Sequence, residues 1–102
     1  MAEKQVSLKV YKVRNGGLMI AACNCDLLGK TFKDGKLVLD ISKEFYGGEK
    51  VAAEAAIDML RVATVANLVG EDAIRCGIAA GLIHKECVIM IGGIPHAQFV
   101  LI

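Results

Sequence analysis

Between Gln5 and Val13 apolar and polar positions alternate: Val6, Leu8 and Val10 fall on one side of an extended chain, Ser7, Lys9 and Tyr11 on the other. That two-residue period predicts a half-buried strand. Asn15-Gly16-Gly17 supplies a turn able to take positive φ, and residues 18–23 return as a second strand, giving a hairpin. Residues 24–30 predict a short helical turn, capped by Asn24 or Asp26 and ended by Gly29. Asp34-Gly35 marks another turn, and residues 36–42 read as a third strand with Leu37, Leu39 and Ile41 facing in. Residues 42–46 fit one helical turn.

The longest pattern is helical. Over residues 49–69 the polar positions Lys50, Glu54, Asp58, Arg61, Thr64 and Asn67 recur every three or four residues, one narrow stripe on a 3.6-residue period. Gly70 ends this segment. Glu71 and Asp72 open a second helix, their carboxylates complementing its dipole, and it stops at Gly81. A strand over 87–91, a turn containing Gly92, Gly93 and Pro95, and a closing strand over 98–102 complete the chain. The order βββ-αα-ββ predicts an α+β fold, in which a small mixed or antiparallel sheet of N- and C-terminal strands packs on two central helices. No repeat or linker divides the 102 residues, so a single domain over 1–102 is expected.

Composition narrows the function classes. Hydrophobic residues make up 55% of the chain, nearly all aliphatic, and there is no Trp. So much aliphatic surface on a small domain favours a homodimer, because uncovered apolar patches become interfaces. The net charge of +1 argues against a strongly cationic nucleic-acid binder. The charge is uneven, however: residues 1–50 carry nine Lys or Arg against six Asp or Glu, and residues 51–102 three against five. Lys9, Lys12, Arg14, Lys30 and Lys33 are therefore the candidate residues facing RNA. No apolar run reaches the ~18 residues of a membrane span, and the first residues lack the pattern of an export signal. A cytoplasmic protein with reduced thiols, and no membrane partner, is the expectation.

No complete catalytic or metal signature is present. Cys23 and Cys25 form a C-x-C pair, with Cys76 and Cys87 far downstream, which is not the paired spacing of a zinc site. Nothing in the sequence brings these thiols to His84 or His96. No metal, cofactor or catalytic residue is assigned. Function is sought at the two glycine pairs. Tyr46-Gly47-Gly48-Glu49 precedes the long helical pattern, where free N–H groups meet anions. Gly92-Gly93-Ile94-Pro95-His96 fixes a backbone shape beside an imidazole. The candidate ligand-binding residues are Tyr46, Gly47, Gly48, Glu49, Asn67, Gly92, Gly93 and His96.

Six strings in order carry a resemblance. They are Lys9-Val10-Tyr11-Lys12, Leu28-Gly29-Lys30-Thr31-Phe32, residues 37–41, Phe45-Tyr46-Gly47-Gly48-Glu49, Ala66-Asn67-Leu68-Val69-Gly70-Glu71 and Ile91-Gly92-Gly93-Ile94-Pro95-His96-Ala97-Gln98. Together they resemble the small archaeal family called Domain of Unknown Function 424. The resemblance implies an archaeal, cytosolic, single-domain protein, associated with the translation apparatus, and it implies no reaction.

Three readings follow. A non-enzymatic binding module for RNA or a ribonucleoprotein ranks first, on the basic N-terminal half, Tyr11 and Tyr46 as stacking platforms, and glycine turns that admit a phosphate. A protein–protein interaction or oligomerising domain ranks second. A small enzyme ranks third, with His96 as acid/base and the Gly47-Gly48 helix N-terminus as anion site. The enzyme reading requires the two glycine turns to share one pocket.

Overall fold

Two hairpins and a parallel pairing build the main sheet of the computed structural model, which describes residues 4–102. Strand β1 (Gln5–Lys12) returns through a short 3-10 turn into β2 (Leu18–Asn24), with Lys9 opposite Ala21 and Lys12 opposite Leu18. β3 (Thr31–Asp34) and β4 (Leu37–Asp40) form a separate two-stranded hairpin. One helical turn, α1 (Lys43–Tyr46), leads into β5 (Glu49–Ala52) and α2 (Ala53–Leu60). Then come β6 (Val65–Val69), α3 (Glu71–Ala79), β7 (Ile89–Ile91) and β8 (Ile94–Val100). The six-stranded sheet runs β5-β1-β2-β6-β8-β7, antiparallel except where β2 and β6 lie parallel. The fold is α+β.

The expected helix over 49–69 is instead strand, helix, strand. Its polar stripe is real only within α2, where Ala56 and Leu60 face inward and Asp58 faces out. Beyond Leu60 the chain enters β6, the strand between β2 and β8. A central strand hydrogen-bonded on both sides, with one face fully covered and the other partly so, reads as a near-continuous apolar run, and that run also suits a helix. Asn67 breaks the run at a position that also fits the helical period of the polar stripe. The strand expected over 36–42 is β4, and it is preceded by a strand that was not expected, because Thr31–Asp34 pairs with Leu37–Asp40 around Gly35 (φ +60°). Leu37, expected inside, is exposed, whereas Leu39 and Ile41 are buried. Pro95 lies in β8 rather than in the turn, so the closing strand starts at Ile94.

The sheet carries a layer on each face. On one, α2 and α3 cover Val6, Leu8, Ile20, Ala22, Ala66, Leu68 and Ala97. On the other, α1 and the β3–β4 hairpin cover Ala21, Cys23, Val69 and Ile91, with Leu39, Ile41 and Tyr46 packed above them. Neither α1 nor the hairpin is large, and this sets up the site. Period-two alternation continues the second face from Ala21 and Cys23 to Met19, and from Val69 to Asn67 and Val65. Those lower positions lie outside the packed cluster. Among the described residues no helix is long and apolar enough to cross a membrane.

Candidate functional site

The first glycine pair is spent on structure. Gly47 N–H donates to Lys43 O (2.9 Å), closing α1, and Gly48 N–H donates to Ser7 Oγ (3.3 Å). Ser7 is fully buried and its hydroxyl donates in turn to Tyr46 O at 2.9 Å. Glu49 opens β5, and α2 begins only at Ala53. The anticipated helix N-terminus at Gly47-Gly48 is therefore not formed, and its two amides are already bonded within the chain. What requires glycine at position 48 is close approach: a Cβ there would fall on the carbonyl oxygen of Leu8.

The second pair, Gly92 and Gly93, makes the turn between β7 and β8, both at positive φ. Gly92 N–H donates to Asp34 Oδ2 (3.2 Å), tying this turn to the β3–β4 hairpin. β5 and β7 are opposite edges of the sheet, with four strands between them. A strand spacing of about 4.8 Å puts those edges on the order of 24 Å apart. The glycine turns do not share a pocket, and the enzyme reading that joined His96 to Gly47-Gly48 is overturned by this topology.

The aromatic side chains are also engaged internally. Tyr46 is buried, and its phenol is pushed up to about 12 by burial, with Cys23 adding to the effect. The Tyr11 ring stacks on Phe45 with centroids 5.5 Å apart, and its hydroxyl donates to Phe45 O at 2.7 Å. Lys9 Nζ donates to Glu44 O (2.7 Å) and lies 5.3 Å from the centre of the Tyr11 ring. Lys9 and Tyr11 thus satisfy carbonyls of the one-turn helix α1, whose C-terminal end favours a cation. Tyr46 is no stacking platform, and Lys9 is a structural cation. Lys12, Arg14, Lys30 and Lys33 remain exposed, the first two where β1 leaves the sheet and the last two on the β3–β4 side.

The polar chemistry left over converges on the uncovered part of the second face. Asn67 on β6 stands opposite Gln98 on β8, and Gln98 Nε2 donates to Asn67 Oδ1 at 2.7 Å. One register step away, His96 pairs with Val69 on one side and Ile89 on the other. His96, Gln98, Cys87, Ile89 and Ala97 line a cleft of about 220 Å³. His96 Nδ1 is buried with no hydrogen-bond partner, and burial lowers the imidazole below its ordinary value. Sequence reasoning singled out Asn67 and His96 but missed Gln98 and Cys87. The available signal was β8 itself: had Pro95 and His96 been read as strand, Gln98 would have followed on the face of His96.

The thiols do not gather. Cys23 and Cys76 are buried, Cys25 is half-buried, Cys87 is exposed, and all four are free. Among the described residues no three His, Cys, Asp or Glu side chains are placed to hold a metal ion.

Comparison with curated proteins finds no match. Among solved structures the chain is similar to that of an uncharacterized conserved protein from Methanopyrus kandleri. The two share 29% sequence identity over 93% of this chain and 90% of that one, with a TM-score of 0.82. The family model described as Protein of unknown function (DUF424) fits residues 11–102, a span that takes in both glycine turns, the Asn67–Gln98 pair and the His96 cleft, and the chain belongs to that family.

Proposed function

We propose that this protein is a non-enzymatic binding module that takes single-stranded RNA on the uncovered part of its sheet. The observation that carries the reading is the Asn67–Gln98 pair, two carboxamides locked together at 2.7 Å on neighbouring strands of an open face. Their mutual bond uses one donor and one acceptor. Asn67 keeps its amide N–H groups, and Gln98 keeps Oε1 and one N–H, for a partner. Sheet faces that present such groups read the edges of unstacked bases in single-stranded RNA. Arg14 and Lys12 are exposed at the adjoining end of β1, Arg14 beyond the strand and Lys12, opposite Leu18, alternating onto the helix-covered face, so both would supply charge to phosphates from the rim of the open face.

The test is anisotropy of a labelled single-stranded RNA titrated at several salt concentrations. Affinity should fall with salt at a log–log slope of about −0.7 per neutralised phosphate. The double variant Lys12→Ala/Arg14→Ala should flatten that slope by roughly 1.4. Absence of binding at low salt, or binding indifferent to salt, rejects the reading.

A second reading, self-association, has its own observation. Edge strand β7 exposes Ile89 (51%) and Met90 (56%), and β4 beside it exposes Leu37 (53%) and Val38 (58%). Natural sheet edges carry charges, proline or bulges to prevent pairing, and β7 carries none of the first two. Sedimentation equilibrium distinguishes the outcomes: a dimer that Met90→Lys dissolves supports this reading, and a monomer at all concentrations ends it.

A further inference from the structure

We propose that the cleft lined by Cys87, Ile89, His96, Ala97 and Gln98 is a pocket for one pyrimidine base of that RNA, an assignment that rests on the reading of the open sheet face given above. Size is the first argument. At about 220 Å³ the cleft falls below the ~300–1,000 Å³ of pockets for drug-sized ligands, which suits a single six-membered ring.

Hydrogen-bond inventory is the second. A proton on His96 Nδ1 would be a buried donor without an acceptor, so the neutral ring carries its proton on Nε2. That nitrogen is then a donor for the cleft that His96 lines. Gln98 has given one N–H to Asn67 Oδ1, leaving one N–H donor and the Oε1 acceptor. These two side chains therefore offer two donors and one acceptor. Uracil presents two carbonyl acceptors and one N–H donor, and cytosine presents O2 and N3 as acceptors with its amino group as donor. Adenine and guanine are larger, and guanine adds further donors where the two side chains supply only one acceptor. Ile89, half exposed beside His96, gives an apolar wall for the face of the ring. The Asn67 bond fixes the Gln98 carboxamide, so its orientation is set before a ligand arrives.

The experiment compares labelled oligo(U), oligo(C) and oligo(A) on the intact protein and on two variants, Gln98→Leu and Gln98→Glu. Gln98 is exposed, so both changes are compatible with folding, and the circular dichroism of each variant checks this. The wild type should prefer the pyrimidine oligomers by about tenfold, the discrimination expected from one well-formed pair of base contacts. Each variant should lose that preference and bind the three oligomers alike, and Gln98→Leu, which changes no charge, should leave the salt slope unchanged. Lys12→Ala/Arg14→Ala should instead weaken all three oligomers equally. If the wild type binds no RNA at low salt, the open-face reading and the pocket fall together. If it binds all three oligomers equally, or if the preference survives both Gln98 variants, the pocket assignment alone is overturned.

Discussion

Asn24, the last residue of β2, caps a helix far away in sequence: its Oδ1 accepts from the backbone N–H groups of Asp72 (2.9 Å) and Ala73 (3.2 Å) at the start of α3. Gly70 makes this possible. It turns at φ +99°, and a Cβ there would lie 2.5 Å from the same Oδ1. Two otherwise orphaned donors of α3 are satisfied by a strand rather than by the residue before the helix. Asn24→Ala should therefore lower stability by about 1 kcal/mol, the usual cost of a lost N-cap. Urea denaturation measures it, and an unchanged midpoint would show that the cap contributes nothing.

That cap also shows where the sequence was legible. Asn24 was recognisable as a capping residue, but local reasoning assigned it to the turn that follows it. In fact that turn, at Cys25–Leu27, has no side-chain cap. Elements specified by local chemistry came through clearly: the β1–β2 hairpin by alternation and glycine, α3 by its acidic first turn, and α1 as the single helical turn expected over 42–46, where Ser42 Oγ accepts from Phe45 N–H. Elements specified by pairing with strands distant in sequence did not. β6 owes its conformation to β2 and β8, and nothing within residues 65–69 distinguishes it from an apolar helix. The site followed the same division. Asn67 and His96 stood out as polar residues among apolar neighbours, but their partners Gln98 and Cys87 are brought close by pairing β6, β8 and β7, which no local pattern encodes.

Ser7 holds α1 to the sheet through two bonds, donating to Tyr46 O and accepting from Gly48 N–H. Ser7→Ala leaves a carbonyl and an amide without this partner in a buried setting, at a cost of about 1–3 kcal/mol. Gly48→Ala should cost a comparable or larger amount, roughly 1–3 kcal/mol or more, because the new methyl meets Leu8 O. Thermal or urea unfolding of the two variants checks both. Wild-type stability in either would mean that the β1–β5 edge yields without penalty.

His96 makes stability depend on pH in one direction. Its folded value lies below the ordinary 6.5 because burial disfavours the imidazolium. As pH falls through about 6.5, the unfolded chain takes up this proton before the folded protein does, so protonation favours unfolding. The contribution is fully present above that value and is lost as pH falls towards the folded one. His96→Gln removes the titration. Unfolding free energies taken between about pH 7.5 and 5.5 should fall more for the wild type than for His96→Gln. Parallel slopes would show that the imidazole titrates alike in both states.

The four thiols should react in an order set by burial. Cys23 is fully buried, and its thiol is pushed up to about 12, by burial first and then by Cys25 and Asp26. Burial likewise raises the Cys76 thiol, with Asp72 adding to it. The thiolate is the nucleophile, so a group at about 12 presents on the order of one thiolate in 100,000 at pH 7. Cys87 is exposed at the mouth of the His96 cleft. Brief alkylation of the native protein with iodoacetamide, followed by mass spectrometry of its peptides, should label Cys87 first. Cys23 and Cys76 should label only when denaturant opens the core, and Cys25, half-buried with its sulfur 3.6 Å from Gln5 O, should fall between. Native labelling of Cys23 at the rate of Cys87 would mean that the layer formed by α1 and the β3–β4 hairpin opens readily from the sheet.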